Sequence, residues 1–203
     1  MNRKLNLPIY LGVFVLLVLA WSGVTPYDRF TWVMEVFPVL IALPLLAITH
    51  KKFPLTPLLY ILVAFHCCVL MIGGKYTYAL APLGDWAREI LHLARNPYDR
   101  FGHVIQGFVP AIAIRELLLR TSPLKSGKWV FAIIIFVCLG ISATYEIIEW
   151  ATAALTGEAA DSFLGTQGDI WDTQKDMVCA GLGALLALTT LSRYHDRQLD
   201  QVK

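Results

Sequence analysis

Two glutamates inside an apolar segment are the residues of this sequence whose chemistry most needs an explanation. Glu146 and Glu149 lie three positions apart in ISATYEIIEWATAAL, so a helix would place both on one face. They approach a helix C-terminus, where the dipole disfavours negative charge, and a charged acidic residue at a membrane centre costs roughly 2.5–3.5 kcal/mol. The pair must therefore be ion-paired, protonated or bound to a metal ion.

Two other groups of polar residues share this helical spacing. Asp99, His103 and Gln106 lie at intervals of four and three positions in NPYDRFGHVIQGF. Asp172 and Asp176 lie four positions apart in GDIWDTQKDM, directly before an apolar stretch. Together with the glutamates, these carboxylates and the one imidazole suit a hard divalent cation such as Mg²⁺, Mn²⁺ or Ca²⁺, or Zn²⁺ when His103 takes part.

The sequence thus predicts a site with overlapping roles. A bound metal ion would polarise a phosphoryl or acyl group and activate water, whereas without a metal ion a glutamate with a raised pKa would act as a general acid or base. No nucleophile motif of the G-x-S-x-G type is present. The predicted catalytic residues are Glu146, Glu149 and His103. The predicted metal ligands are Asp99, His103, Glu146, Glu149, Asp172 and Asp176.

Each group also has a structural explanation. Asp172 and Asp176 would be favoured near a helix N-terminus, and Thr173–Asp176 fits a variant of the capping box. The two glutamates would be satisfied by ion pairs with Arg100 or Lys175. Whether the acidic residues form one site or separate helix caps therefore stays open at this point.

The composition indicates which elements hold these residues. The chain has 203 residues, of which 57% are hydrophobic and 16% charged, and its mean hydropathy is +0.58. A soluble domain usually has about a quarter of its residues charged. The sequence therefore predicts an all-α polytopic membrane protein whose partner is the lipid bilayer. A net charge of +2 and the absence of a binding motif argue against nucleic acid as a partner.

Six apolar segments approach the roughly 20 residues that a helix needs to cross a bilayer. We interpret them as one integral membrane domain, residues 1–203, in which a short amphipathic helix follows the third span. The first segment serves as an uncleaved anchor, although Ala20-Trp21-Ser22 resembles a signal-peptide cleavage site. The predicted spans are approximately 7–24, 31–49, 55–72, 100–120, 129–154 and 175–192.

The distribution of charge predicts the orientation. With both termini in the cytoplasm, most of the 17 basic residues lie on the cytoplasmic side, as the positive-inside rule requires. Of the 15 acidic residues, all but Glu116, Asp196 and Asp200 then lie outside or in outward-facing halves of helices. The three acidic groups accordingly meet at the outer ends of the last three spans. Glu35 and His66 lie at similar depth; a place in the wall of the same cavity stays open for both, but neither is counted in the predicted site, because a lone residue of this kind more often makes a satisfied contact in the bundle.

The connection before the fourth span has a helical pattern of its own. In DWAREILHLARN, residues 85–96, Trp86, Ile90 and Leu93 would share an apolar face, while Arg95 would lie on the polar face. Asp85 would cap this helix. We expect the helix to lie on the outer membrane surface or to cover the bundle.

Three stretches carry a resemblance to a known family. YDRFGHVIQGF, YEIIEW and GDIWDTQKDMVCAGLGA together resemble the YjdF family of uncharacterised bacterial inner-membrane proteins over most of the chain. Their order is more distantly similar to VanZ-like membrane proteins, although this sequence has extra acidic residues and lacks an asparagine shortly after its last aspartate. The resemblance implies an inner-membrane location and a cell-envelope role, without a particular reaction. The positions that match the VanZ-like pattern are Asp99, Arg100, His103, Glu146 or Glu149, and Asp172 or Asp176.

Three functions remain open from the sequence. The first is metal-dependent action on, or binding of, an envelope lipid or precursor. The second is proton- or cation-linked transport, against which stands the near absence of ionisable residues in the cytoplasmic halves of the last spans. The third is a structural or partner-binding role, for which Ala180, Gly183, Ala184 and Ala187 offer a close-packing helix face. The sequence leaves catalysis and the oligomeric state undecided.

Overall fold

The computed structural model describes residues 3–156 and 166–202, and the secondary structure of this part of the chain is helical. It contains seven α-helices, one 3₁₀ turn and no strand, which confirms the predicted all-α class. The helices are α1 (Arg3–Gly23), α2 (Arg29–Thr49), α3 (Pro57–Tyr76), α4 (Pro82–Leu91), α5 (Tyr98–Thr121), α6 (Lys128–Thr156) and α7 (Asp172–Leu199), with the 3₁₀ turn at Tyr78–Leu80 between α3 and α4.

Five of these helices are long and apolar enough to cross a bilayer. They are α2, α3, α5, α6 and α7, each at least 20 residues long. The apolar part of α1, Leu7–Gly23, is shorter than the other five, so the sixth span stays a prediction. The last helix begins at Asp172 instead of residue 175, and its first turn therefore includes one of the predicted metal ligands.

The closest helix pair is α5 and α7, and glycines make this approach possible. A Cβ atom at Gly107 would collide with the backbone of Ala180, and one at Gly183 would collide with the backbone of Val104. Ala184, one residue further along α7, is fully buried. The predicted small-residue face thus packs inside the bundle, and it fixes the rotation of α7 so that Asp172 and Asp176 face α5.

The core beside this contact holds α6 in place. Ala111 and Ile112 from α5, Ile134 and Cys138 from α6, and Ala184 from α7 are all fully buried in one apolar cluster. This layer lies between the two ends of the bundle. It brings the late turns of α6, with Glu146 and Glu149, next to the first turns of α5 and α7.

The short helix α4 differs from its predicted bounds. It spans Pro82–Leu91 and ends at His92, whose left-handed backbone (φ 51°) turns the chain out of the helix. Asp85 does not cap it, because Ala81 occupies the N-cap position and Asp85 lies inside the first turn. Arg95 was predicted to lie on the polar face of this helix. It lies instead beyond the helix end and reaches the acidic residues of α5 and α7.

A candidate acidic and histidine site

The structure brings three of the predicted ligands within reach of one point. Asp99 and His103 lie one turn apart at the start of α5, and Asp176 lies on the facing side of α7. One ligand atom from each of these residues lies within 4.8 Å of the others. All three side chains are buried. Two carboxylates and one imidazole are a donor set that divalent transition metals accept.

His103 connects this group to α6. Its Nε2 atom lies 3.5 Å from Glu146 Oε1 and 3.7 Å from Asp99 Oδ1. Its Nδ1 atom lies 3.0 Å from Gln106 Oε1, so Nδ1–H donates to the amide oxygen as that amide is assigned. The Nε2 lone pair of a neutral imidazole then faces two carboxylate oxygens. Such an arrangement is stable only with a proton or a metal ion between these atoms.

Glu146 has a buried oxygen that lacks a hydrogen bond. Its side chain is 6% exposed, and Oε1 has no hydrogen-bond partner among the described residues. Neither Arg100 nor Lys175 forms an ion pair with Glu146 or Glu149 within this part of the chain. Arg100 and Lys175 are therefore not the partners of the two glutamates among the described residues, and the group that the structure pairs with Glu146 is His103.

The two arginines instead bind the aspartates of α7 and of the turn that precedes it. Arg100 Nη1 donates to Asp176 Oδ1 at 2.9 Å, and Arg100 Nη2 donates to Asp172 Oδ1 at 2.5 Å. Arg95 also donates to Asp172 Oδ1, and its Nη2 lies 3.3 Å from Asp99 Oδ2. Asp172 and Asp176 are thus held by arginines rather than serving as helix caps. The N-cap residue, Trp171, makes no side-chain capping bond.

Asp169 belongs to the rim of this cluster, as its predicted place in the loop suggests. Its carboxylate accepts from Lys175 Nζ at 2.6 Å, from Arg100 Nη2 at 3.0 Å and from the Trp171 backbone N–H at 3.0 Å. The hydrogen bond from Lys175 is the largest reason that the pKa of Asp169 lies below its ordinary value. Asp169 therefore stays ionised down to acidic pH.

A second buried carboxyl group lies beside the site on α2. Glu35 Oε2 accepts a hydrogen bond of 3.0 Å from the Tyr145 hydroxyl, and the residue is 3% exposed. Burial raises the pKa of Tyr78 well above its ordinary value, so this neighbouring phenol keeps its proton. Glu35 was predicted to lie outside the main site, and neither tyrosine was predicted to belong to it, because their contacts join α2, the 3₁₀ turn and α6.

A small cavity joins these two groups of residues. Its volume is about 20 Å³, which is room for one water molecule or one ion. Glu35, Asp99, His103 and Glu149 contribute polar side chains to its wall. Within the described residues, the cluster of ion pairs and hydrogen bonds around this cavity therefore holds more carboxyl groups than Arg and Lys side chains. They are Glu35, Asp99, Glu146, Glu149, Asp169, Asp172 and Asp176, opposed by Arg95, Arg100 and Lys175.

A separate buried network lies at the opposite end of the bundle. Glu116 accepts from Thr56 Oγ1 at 2.7 Å and from Arg120 Nη1 at 2.7 Å, and His195 Nε2 lies 3.0 Å away. Arg115 Nη1 lies 3.1 Å from His195 Nδ1. These contacts join α3, α5 and α7. Arg115 and Glu116 lie in the half of α5 that was predicted to face the cytoplasm, so the prediction that these halves of the last spans carry almost no ionisable residues is wrong for α5. The network has partners for its charged groups.

Comparisons with known proteins relate this chain to membrane proteins. Residues 7–197 match the family described as "Predicted membrane protein (DUF2238)". The "Inner membrane protein YjdF" of Escherichia coli (strain K12) is 50% identical over 202 residues, which cover 98% of this chain and 96% of that protein. No solved structure matches. The predicted resemblance to YjdF proteins is confirmed, and the similarity to VanZ-like proteins stays a prediction. This chain belongs to the DUF2238 family of membrane proteins.

Proposed function

We propose that this protein binds a divalent cation at the outer ends of α5, α6 and α7. Asp99, His103 and Asp176 supply the ligands, and Glu146 is the fourth group in reach. The single observation that carries the proposal is the contact between His103 Nε2 and the unpartnered Glu146 Oε1. Both atoms are electron donors when the imidazole is neutral, so a cation between them would satisfy both.

The balance of charge supports the same proposal. Arg95 and Arg100 are engaged with the aspartates, so neither Glu35 nor Glu149 has a partner among the described ion pairs, and Glu146 has only His103, which is a cation only when protonated. A buried carboxylate is costly unless it is paired, protonated or bound to a metal ion. One divalent cation would offset two of these negative charges. Because an imidazole is among the ligands, Mn²⁺ and Zn²⁺ are the appropriate probes.

The proposal places the site on the outer side of the bacterial inner membrane. The name of the YjdF relative supports this membrane, and the positive-inside rule supports cytoplasmic termini with α1 as a sixth span. Helix α4 then lies at the outer surface as an amphipathic helix. Its apolar side chains Leu83, Trp86, Ile90 and Leu91 are exposed, which suits contact with the membrane interface.

Cation binding is better supported than catalysis. The cavity of about 20 Å³ holds an ion or a water molecule but not an organic substrate. A metal ion held there would polarise a phosphoryl or acyl group only if the site opened to admit one. Action on an envelope lipid or precursor therefore stays a prediction from the sequence.

Transport across the membrane has less support than binding. His103 and Arg115 are separated by about 18 Å along α5, and the turns between them pack in the apolar layer of α5, α6 and α7. Gly107 and Gly183 bring the backbones of α5 and α7 into direct contact within that layer. An ion path would need polar groups or water there.

The test is thermal unfolding of the purified protein after removal of metal ions, with and without Mn²⁺ or Zn²⁺. A cation present at 100 times its Kd would stabilise the wild type by about 2.7 kcal/mol. We expect His103→Gln and Asp176→Asn to lose most of this gain. Glu89→Gln is the matched control, because Glu89 is an exposed carboxyl group on α4 at the same end. If neither Mn²⁺ nor Zn²⁺ raises the unfolding temperature of the wild type, the proposal is contradicted.

A further inference from the structure

A groove lies between α1 and α2, along the apolar parts of these two helices. Both helices pack on α3, and the space between them has a volume of about 490 Å³. Its wall is almost wholly apolar and includes Gly12, Val15, Leu43 and Ala64. Gly12 helps to form the groove, because a Cβ atom there would meet no other atom within 4 Å.

The groove ends at a polar opening on the side away from the acidic site. A second cavity of about 420 Å³ adjoins it and shares Pro8, His50 and Tyr60 with its wall. Lys51 and Gln198 complete the opening. The apolar groove at membrane depth thus leads to an opening at the end of the bundle, the mouth of the groove, where Lys51, His50 and Gln198 supply one positive charge and hydrogen-bonding groups.

We propose that this groove binds an anionic phospholipid. An acyl chain fills the apolar part, because a groove open to the bilayer core is filled by hydrocarbon rather than water. The phosphate lies at the mouth, where Lys51 supplies positive charge and His50 and Gln198 supply hydrogen-bonding groups. The basic mouth favours an anionic headgroup over a zwitterionic one. This site rests on α1 and α2 lying in the membrane and is independent of the cation site.

The experiment measures the lipid retained by the full-length protein after purification in detergent. The protein is incubated with vesicles of phosphatidylglycerol or phosphatidylethanolamine, repurified and examined by native mass spectrometry. Gly12→Phe fills the groove, and Gly140→Phe is its control on the exposed face of α6, where a Cβ atom also meets nothing within 4 Å. Lys51→Gln removes the cation of the mouth, and Lys125→Gln removes an exposed lysine outside these cavities.

We expect the wild type to retain phosphatidylglycerol in preference to phosphatidylethanolamine. Gly12→Phe should retain neither lipid. In Lys51→Gln, the ratio of retained phosphatidylglycerol to retained phosphatidylethanolamine should fall about fivefold. The two control variants should match the wild type. Equal retention of both lipids by the wild type, or unchanged retention by Gly12→Phe, would overturn the proposal. If Gly12→Phe retains lipid normally but changes the number of protein copies in the complex, the groove holds a second copy of the chain instead of a lipid. That result would also overturn the proposal.

Discussion

Replacing Arg100 tests how the acidic cluster is held together. The Arg100 guanidinium contacts the carboxylates of Asp169, Asp172 and Asp176, and its own side chain is 18% exposed. In Arg100→Gln, Arg95 would still pair with Asp172. Asp176 would lose the one ion pair it forms among the described residues, and its side chain is only 3% exposed. The variant therefore leaves a buried carboxylate without its partner.

The expected loss follows from that burial. Removing one partner of a buried ion pair costs about 3–5 kcal/mol, and the partial exposure of Arg100 places the loss near about 3 kcal/mol. The same change removes a positive charge beside the proposed cation site, so Arg100→Gln should bind Mn²⁺ more tightly than the wild type does. By linkage, the difference in stability between Arg100→Gln and the wild type should shrink when Mn²⁺ is saturating.

The assay is unfolding by sodium dodecyl sulfate in mixed micelles, with and without Mn²⁺. Arg29→Gln is the control, because Arg29 is exposed at the start of α2 and its loss should change stability by less than about 0.5 kcal/mol. The double variant Arg100→Gln/Asp176→Asn should be more stable than the sum of its single changes predicts. An Arg100→Gln protein as stable as Arg29→Gln would show that Arg100 does not hold the cluster together. A loss of stability that Mn²⁺ leaves unchanged would show that Arg100 is not coupled to a cation site.

Three further changes probe the rim, the helix contact and the opposite end. The pKa of Asp169 is lowered mainly by Lys175, so the contribution of Asp169 to the stability of the fold is full above about pH 5 and is lost as the pH falls through the lowered pKa. The difference in stability between the wild type and Asp169→Asn should therefore close in strong acid. A difference that persists there would contradict this prediction. Gly183→Ala should lose about 1–3 kcal/mol of unfolding free energy in the same assay, because its Cβ atom would collide with the backbone of α5. Gly181→Ala should lose less than about 1 kcal/mol, because its Cβ atom would meet only the end of a leucine side chain. Equal losses would argue against the close contact. Glu116→Gln should lose about 3–5 kcal/mol, because the buried Arg120 guanidinium would lose its ion pair. Rescue of this loss by Mn²⁺ would contradict the separation of the two networks.

Part of the site follows directly from the order of residues along the chain. Helical spacing places Asp99 with His103 and Asp172 with Asp176, and sidedness of charge places both pairs at one end of the bundle. The glutamate pair needed no tertiary information either, because burial in an apolar helix already requires a compensating group. Helical spacing, sidedness of charge and burial can all be read along the chain, and they suffice to select Asp99, His103, Glu146 and Asp176, which the structure brings together.

The choice of partners could not be predicted in the same way. Arg95 reaches the site because one residue, His92, adopts a left-handed backbone and ends α4 early. The pairing of Arg100 with the α7 aspartates instead of Glu146 depends on the rotation of each helix about its own axis. That rotation is set by the contact at Gly107, where two backbones approach too closely for any side chain. Spacing along one helix carries no information about it.

Electron paramagnetic resonance of the protein with Mn²⁺ tests the cation site most sharply. We expect one tightly bound ion per chain, with hyperfine coupling to an imidazole nitrogen that disappears in His103→Gln. We also expect weaker binding in Asp176→Asn, while Glu89→Gln binds as the wild type does. No bound Mn²⁺, or a bound ion whose spectrum is the same in the wild type and in His103→Gln, would contradict a cation site built on Asp99, His103 and Asp176.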